Sequence, residues 1–179
     1  MSLMIAMYPD LDTARKMAIH GGEKPEEIHL TLVYVSEYPT AMDVGNSIKA
    51  VSAFVREQDY SDDEIIYDGR TSGFGRFVNE DDPDVLYAGV DLNDLVKIRR
   101  KIIRELKNYD VRLDIPKHGF TPHMTLKYMR ASDPIPFDRY PTHELKFNSI
   151  SIMSDSYRYD IPVKDHLSMT VNYTVDINT

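Results

Sequence analysis

The chain contains one short pattern twice, and this repeat constrains its fold more than any other feature. Residues 29–35 read His-Leu-Thr-Leu-Val-Tyr-Val, and residues 123–129 read His-Met-Thr-Leu-Lys-Tyr-Met. Both segments fit His-x-Thr-Leu-x-Tyr followed by an apolar residue. In a chain of this composition, His-x-Thr-Leu is expected by chance only about 0.02 times, so chance does not explain two copies.

The spacing within the repeat predicts two strands that each have a polar face and an apolar face. Side chains two residues apart on a strand point to the same side, so His29 shares a face with Thr31, and His123 shares one with Thr125. The predicted apolar faces carry Leu30, Leu32 and Tyr34 in the first strand, and Met124, Leu126 and Tyr128 in the second. If the polar faces of the strands meet, two imidazoles and two hydroxyls converge in one cleft.

Two imidazoles on either side of a phosphorus atom are suited to acid–base chemistry on a phosphodiester. Histidine titrates near neutral pH, so a neutral imidazole can accept a proton while a protonated one donates. Threonine hydroxyls can donate hydrogen bonds to phosphoryl oxygens, where charge develops in the transition state. Zinc is the alternative for paired imidazoles. The sequence has no HExxH motif and no third ligand at metal-like spacing, so no metal is expected.

Length, composition and net charge exclude several classes of protein. A length of 179 residues fits one domain with a proper core. The absence of cysteine excludes disulfides and cysteine nucleophiles. The net charge of −8 argues against a protein that grips long duplex nucleic acid, because such proteins usually present a basic surface. Apolar runs are too short to span a membrane, and residues 1–8 lack the basic start of a secretory signal, so a cytoplasmic location is expected.

The pattern of elements predicts an α+β domain. Helices are predicted from Asp10 or Asp12 to about residue 19, from Thr40 and Asp43 to about residue 55, and over residues 91–108. Strands are predicted over residues 3–8, 28–35, 64–67, 74–78, 85–90, 124–129, 145–153 and 168–177. The strand over 145–153 changes phase near residues 148–149, which predicts a bulge there.

The paired motifs resemble those of the 2H phosphoesterase superfamily, the second of them lying within residues 120–126, Phe-Thr-Pro-His-Met-Thr-Leu. That superfamily includes LigT-type (2′-5′ RNA ligase-like) proteins, cyclic nucleotide phosphodiesterases and viral enzymes that destroy nucleotide signals. Residues 73–77 and 84–90 are similar to the region between the two motifs in LigT-type members. The resemblance extends over most of the chain.

The resemblance implies one bilobal α+β domain over residues 1–179. Two antiparallel sheets related by pseudo-twofold symmetry would line a central cleft, with helices on the outside. It also implies catalysis without a metal or cofactor. Carried over residue by residue, it makes His29, Thr31, His123 and Thr125 the catalytic positions.

Four further side chains are candidates for substrate binding. Lys127 is predicted to share a face with His123 and Thr125, from which it could reach a phosphate; an exposed strand edge is the alternative. Phe74, Phe77 and Tyr157 could stack on a base, although such residues more often fill a core. The basic residues between 97 and 104 fit the exposed side of an amphipathic helix.

These observations favour a metal-independent phosphodiesterase with paired-histidine catalysis. Its expected substrate is a small 2′,3′-cyclic phosphate or a linear or cyclic oligonucleotide, such as a cyclic-nucleotide immune signal. The alternatives are a protein that sequesters a nucleotide without turnover and an RNA 2′-5′ ligase. Neither a membrane nor a long duplex is expected as a partner, and the oligomeric state is left open.

Overall fold

A computed structural model of the chain describes residues 2–59, 67–80, 83–114, 119–154 and 157–163. This part of the chain mixes helices with antiparallel strands, which confirms the predicted α+β class. The helices are α1 (Leu11–Met17), α2 (Ala41–Asp59) and α3 (Leu95–Asn108). The strands are β1 (Leu3–Met7), β2 (Leu30–Ser36), β3 (Asp68–Phe77), β4 (Asp84–Leu92), β5 (His123–Met129), β6 (Glu144–Lys146), β7 (Ser149–Ser154) and β8 (Tyr157–Pro162).

The described strands form one eight-stranded antiparallel sheet in the order β6-β3-β4-β5-β2-β1-β7-β8. The two repeat strands, β2 and β5, are neighbours at its centre, and their register contains one residue pair, Leu30 with Met124. Each repeat strand also borders a group of three further strands. The predicted pair of separate sheets is therefore not confirmed, because the two four-stranded halves are continuous through this narrow junction. Pseudo-twofold symmetry remains a prediction.

Local capping sets the starts of the first two helices. The Asp10 carboxylate accepts a hydrogen bond from the Thr13 amide at 2.9 Å, which satisfies a free N–H in the first turn of α1. At the start of α2, Thr40 and Asp43 bond to each other through both side chains and backbone amides. These are the residues from which the sequence predicts the two helix starts.

The third helix and the strand predicted over residues 145–153 differ from expectation. Helix α3 starts at Leu95 instead of residue 91, because residues 91–92 extend β4, and Asp94 turns the chain with a positive φ of 58°. The predicted strand is divided between β6, which pairs with β3, and β7, which pairs with β1 and β8. The predicted strand over 168–177 and residues 64–66 lie outside the described part of the chain.

The hydrophobic core lies on the helix-covered face of the sheet. Leu30 and Met124, the residues that pair across the junction, are completely buried in the same cluster as Ile98 and Ile102 of α3. The first residue of each predicted apolar face, Leu30 in β2 and Met124 in β5, is therefore buried as expected. Among the described helices, none is both long and apolar enough to cross a membrane.

A β-bulge occupies the same position in both repeats. Between β2 and β1, Thr31 pairs with Ala6 and the next pair starts at Val33, so Leu32 is the extra residue. Between β5 and β4, the pairing likewise passes from Thr125 to Lys127 and leaves Leu126 as the extra residue. A bulge interrupts the alternation of side chains, so residues beyond it no longer follow the predicted faces.

Because of the bulges, both tyrosines of the repeat differ from the prediction that they lie on the apolar faces. Tyr128 was expected on the apolar face of β5, but it is 58% exposed. Tyr34 is only half-buried, whereas Val33 and Val35 on either side of it are buried. The strict two-residue period therefore holds from the histidine to the leucine of each motif and fails after it.

Other elements satisfy the backbone carbonyls at both bulges. The Leu32 carbonyl accepts a hydrogen bond from Nε of Arg99 on α3 at 3.0 Å. The Leu126 carbonyl accepts one from the Glu23 amide at 2.8 Å. The sequence predicts Arg99 on the exposed basic side of its helix. In the structure its guanidinium instead bonds to the sheet.

Candidate active site

The antiparallel junction between the repeat strands brings the two histidines into one region. His29 directly precedes β2, and His123 is the first residue of β5. Each is next to a member of the Leu30–Met124 pair. Continued by one residue in each direction, that antiparallel register sets His29 opposite Thr125 and Thr31 opposite His123.

The four residues predicted to be catalytic therefore share one face at the junction. Leu30 and Met124 point into the core. Adjacent residues on a strand point to opposite sides of the sheet, so the residues on either side of Leu30 and Met124 point away from the core. Directly opposite side chains in such a pair have Cβ atoms about 5 Å apart. All four are partly exposed: His29, Thr31, His123 and Thr125.

The two imidazoles are held in the same way. Nδ1 of His29 lies 2.6 Å from the Glu27 carbonyl, and Nδ1 of His123 lies 2.7 Å from the Thr121 carbonyl. A carbonyl oxygen can only accept, so Nδ1 carries the proton and donates in both residues. The nitrogen that gains or loses a proton is then Nε2, which makes each imidazole able to act as a base when neutral and as an acid when protonated.

The surroundings of His29 favour its neutral form. Burial is the main cause that lowers the pKa of His29, since it disfavours the charged imidazolium. The hydrogen bond to the Glu27 carbonyl opposes this shift, whereas the positive charges of His123 and Arg158 add to it. The electrostatic effect of His123 on His29 means that a positive charge on His123 disfavours a proton on His29.

An aromatic cluster borders His123. The rings of Phe77 and Tyr87 are stacked with centroids 4.2 Å apart. Both present an edge-to-face contact to the His123 ring, at 4.9 Å and 5.4 Å. Phe77 is thus the aromatic candidate from the sequence that the structure brings beside a histidine of the repeat.

The other three candidates for substrate binding have different surroundings. Phe74 packs edge-to-face on Phe137 at 5.0 Å and contacts the hydrophobic core. Lys127 follows the bulge in β5, and its Nζ lies 3.5 Å from the His20 carbonyl. Tyr157 on β8 is 65% exposed. None of these contacts involves the four residues at the junction.

Gly75 permits the aromatic cluster to form. It pairs with Tyr87 across β3 and β4, and a Cβ atom at position 75 would collide with the Tyr87 ring and hydroxyl. We expect Gly75→Ala to displace Tyr87 and to cost about 1–3 kcal/mol of folding stability, as overpacking does. Thermal unfolding of the variant measures this cost.

Gly45→Ala is the matched control for this substitution. A Cβ atom at position 45 meets nothing within 4 Å, and alanine is the better helix former inside α2. This variant is expected to unfold at the same or a higher temperature than the unmodified protein. Equal unfolding temperatures for the two alanine variants would contradict the role of Gly75.

Two residues that the sequence analysis missed border His29. The Tyr8 ring lies 5.4 Å from the His29 ring, and the Arg158 guanidinium lies over the Tyr8 ring at 4.2 Å. Tyr8 follows β1, and Arg158 is on β8, where alternation directs it away from the exposed neighbours Tyr157 and Tyr159. Neither residue belongs to a motif, so only the fold associates them with His29.

The described residues contain no group of three or more histidine, aspartate or glutamate side chains that could hold a metal ion. The expectation of chemistry without a metal stays a prediction.

Comparison with known proteins identifies the fold. No protein-family model and no curated protein matches the sequence. Among solved structures, TT0787 of Thermus thermophilus matches with a TM-score of 0.64 at 17% identity, over 92% of this chain and 96% of that one. E. coli LigT complexed with 3′-AMP matches with a TM-score of 0.54 at 12% identity, over 91% and 95% of the two chains. The chain has a LigT-like fold.

A viral domain has a similar architecture. The PDE domain of MHV ns2 matches with a TM-score of 0.56 at 12% identity, over 82% of this chain and 89% of that domain. The resemblance to 2H phosphoesterases that the paired motifs indicate is thereby confirmed for the fold. In this LigT-like fold, the repeated motifs lie on the two central strands of the sheet.

Proposed function

We propose that this chain is a phosphodiesterase of small nucleotides, with His29 as general base and His123 as general acid. The observation that carries the proposal is the matched pair of imidazoles at the starts of the adjoining strands β2 and β5, each with Nδ1 bonded to the carbonyl two residues before it. Burial and nearby positive charge favour neutral His29, which supports the role of base for this residue. His123 is left as the proton donor.

In the proposed reaction, Nε2 of His29 removes a proton from the attacking 2′-hydroxyl or water. The attacking oxygen forms a bond to phosphorus as the bond to the leaving oxygen breaks. Nε2 of protonated His123 transfers its proton to that leaving oxygen. The Thr31 and Thr125 hydroxyls donate to the non-bridging oxygens and stabilise their charge. In the reverse direction, which is ligation, the two histidines exchange roles.

A nucleotide is the substrate class that the surroundings of the site support. LigT has been crystallised with 3′-AMP, NADP⁺ and ATP, three adenine nucleotides, and it shares the fold of this chain. The aromatic pair Phe77 and Tyr87 beside His123 provides a surface for a base, since stacking contributes about 1–3 kcal/mol per base. The net charge of −8 supports a small ligand over a long duplex.

The test is product formation with EDTA present. The substrate panel contains 2′,3′-cyclic mononucleotides, 2′-5′ and 3′-5′ dinucleotides and cyclic oligonucleotides, and His29→Ala/His123→Ala is assayed in parallel. Cleavage that the double variant lacks supports the proposal, and the cleaved compound identifies the substrate class. Binding of 3′-AMP without cleavage of any compound would contradict it in favour of sequestration, and joining of 2′-5′ ends would favour ligation.

The pKa of His29 predicts the acid limb of the pH profile. A general base works only while it is neutral, and the pKa of His29 is below its ordinary value. We therefore expect the acid-side decrease of kcat/KM to begin only below the ordinary histidine value of about 6.5. Initial rates between about pH 4.5 and 8 measure this limb. A midpoint above about 6.5 would contradict the assignment of His29 as base.

Folding stability must be followed over the same pH range. A histidine whose pKa is lowered in the folded state stabilises the protein fully above its unfolded pKa, and that contribution is lost as the pH falls. Circular dichroism at each pH separates this loss from titration of the catalytic base. Only the range in which the protein stays folded is used for the rate profile.

A further inference from the structure

We propose that Arg158, supported by Tyr8, binds a second phosphate of the substrate on the His29 side of the site. The preferred substrate is then a nucleotide with a terminal phosphate in addition to the scissile one, such as a 5′-phosphorylated oligonucleotide. A 2′,3′-cyclic nucleoside with a single phosphate lacks the group that Arg158 binds. This inference rests on the proposed function, because it assumes that the scissile phosphate lies between the two histidines.

The position of the guanidinium is set by an aromatic contact. It lies 4.2 Å from the centre of the Tyr8 ring, and Tyr8 contacts the His29 ring at 5.4 Å. A guanidinium over an aromatic face is attracted electrostatically by the ring. The Arg158 side chain is only 24% exposed, so it is packed against the protein and not extended into solvent.

One carboxylate lies beside this guanidinium at ion-pair distance, without a hydrogen bond to Nε among the described residues. Nε of Arg158 lies 3.1 Å from Oδ1 of Asp160, and the same oxygen accepts a hydrogen bond from Ser151 at 2.6 Å. Within the described ranges, no second carboxylate pairs with Arg158. The terminal guanidinium nitrogens form a planar fork that matches the oxygens of a phosphate.

The charge and the acceptor oxygens of the ligand determine which phosphate Arg158 favours. Asp160 offsets part of the positive charge of Arg158 toward any anion, and a phosphodiester has only one negative charge. A terminal phosphate carries about −1.5 to −2 charges at neutral pH and presents three acceptor oxygens. The Arg158 subsite is therefore suited to a terminal phosphate.

Distance separates this subsite from the reacting phosphorus. Strand β8 is three positions from β2 in the sheet, roughly 14 Å at the usual strand spacing. The Arg158 side chain and the Tyr8 ring together bridge this distance, since Arg158 contacts Tyr8 and Tyr8 contacts His29. Its charge also contributes to lowering the pKa of His29, in agreement with this proximity. A neighbouring phosphate of the same nucleotide fits this position better than the phosphate that must contact both histidines.

Calorimetric binding tests the inference without requiring turnover. The probes are 3′-AMP and adenosine 3′,5′-bisphosphate, which differ by one terminal phosphate. We expect the unmodified protein to bind the bisphosphate about ten- to a hundredfold more tightly, the effect of hydrogen bonds to a charged group. Arg158→Gln should reduce that preference to less than about threefold. Arg158→Lys should keep only part of it, because an ammonium lacks the planar fork.

Arg70→Gln is the matched control, because Arg70 is also a strand arginine paired with one aspartate, Asp91 at 3.2 Å. It should bind both probes as the unmodified protein does. Equal affinity of the unmodified protein for the two probes would overturn the inference even if Arg158→Gln fails to fold. An unchanged preference in folded Arg158→Gln would also overturn it. Absence of binding to either probe would instead contradict the proposed function.

Discussion

His29→Ala and His123→Ala are each expected to lower the cleavage rate by about 10²–10⁴-fold, the usual effect of losing a placed acid or base. Each substitution removes the Nε2 atom that is proposed to accept or donate the transferred proton. The rate is measured with the compound that the substrate panel identifies, at saturating concentration. More than about a tenth of the original activity in either variant would contradict the assignment.

Asparagine provides a second variant at each histidine. Its side-chain amide can still donate to the carbonyl of Glu27 or Thr121, as Nδ1 does, but it has no counterpart of Nε2. We expect His29→Asn and His123→Asn to unfold near the temperature of the unmodified protein and to be as inactive as the alanine variants. Recovered activity in the asparagine variants would show that the histidines act through local structure and not through proton transfer.

His20→Ala is a control for substitution of a histidine outside the repeats. The backbone carbonyl of His20, which the substitution keeps, contacts the side chain of Lys127. The variant should retain the activity of the unmodified protein.

Thr31→Val and Thr125→Val are expected to lower kcat by about 10²–10³-fold each, the usual effect of removing one hydrogen-bond donor from a developing oxyanion. Valine keeps the branched shape that a strand favours, so the change removes the hydroxyl and little else. The hydroxyl of Thr31 contacts only the weakly accepting sulfur of Met4, at 3.8 Å, among the described residues. It is therefore available to a phosphoryl oxygen.

Serine is the matched control at both positions, because it keeps the hydroxyl and loses only a methyl group. Thr31→Ser and Thr125→Ser should retain kcat within about tenfold. If valine and serine variants have the same kcat at either position, the hydroxyl there does not contribute to the transition state. A change in KM alone would assign the threonine to ground-state binding.

The catalytic candidates could be predicted from the sequence because their arrangement within each motif is local. In a strand, His29 and Thr31 share a face whatever the rest of the chain does, and the same holds for His123 and Thr125. Helix starts at Asp10 and at Thr40 with Asp43 were predictable for the same reason, since a cap depends on residues three apart.

The bulges limited what this local reasoning could predict. Leu32 and Leu126 are extra residues only relative to their partners in β1 and β4, so no pattern within the motif indicates them. Their consequence is the exposure of Tyr128 and the position of Lys127 beside the His20 carbonyl. The same limit applies to Phe74 and Phe77, whose different surroundings depend on Phe137 and Tyr87.

By itself, the sequence determined the α+β class and two polar strand faces with a histidine and a threonine on each. Only the tertiary structure decided that β2 and β5 adjoin in one continuous sheet, and that Tyr8 and Arg158 border His29. The physical reason is the range of the interactions. Side-chain alternation and capping act over a few residues, whereas strand order and the contact between β8 and the end of β1 depend on hydrogen bonding and packing between distant segments.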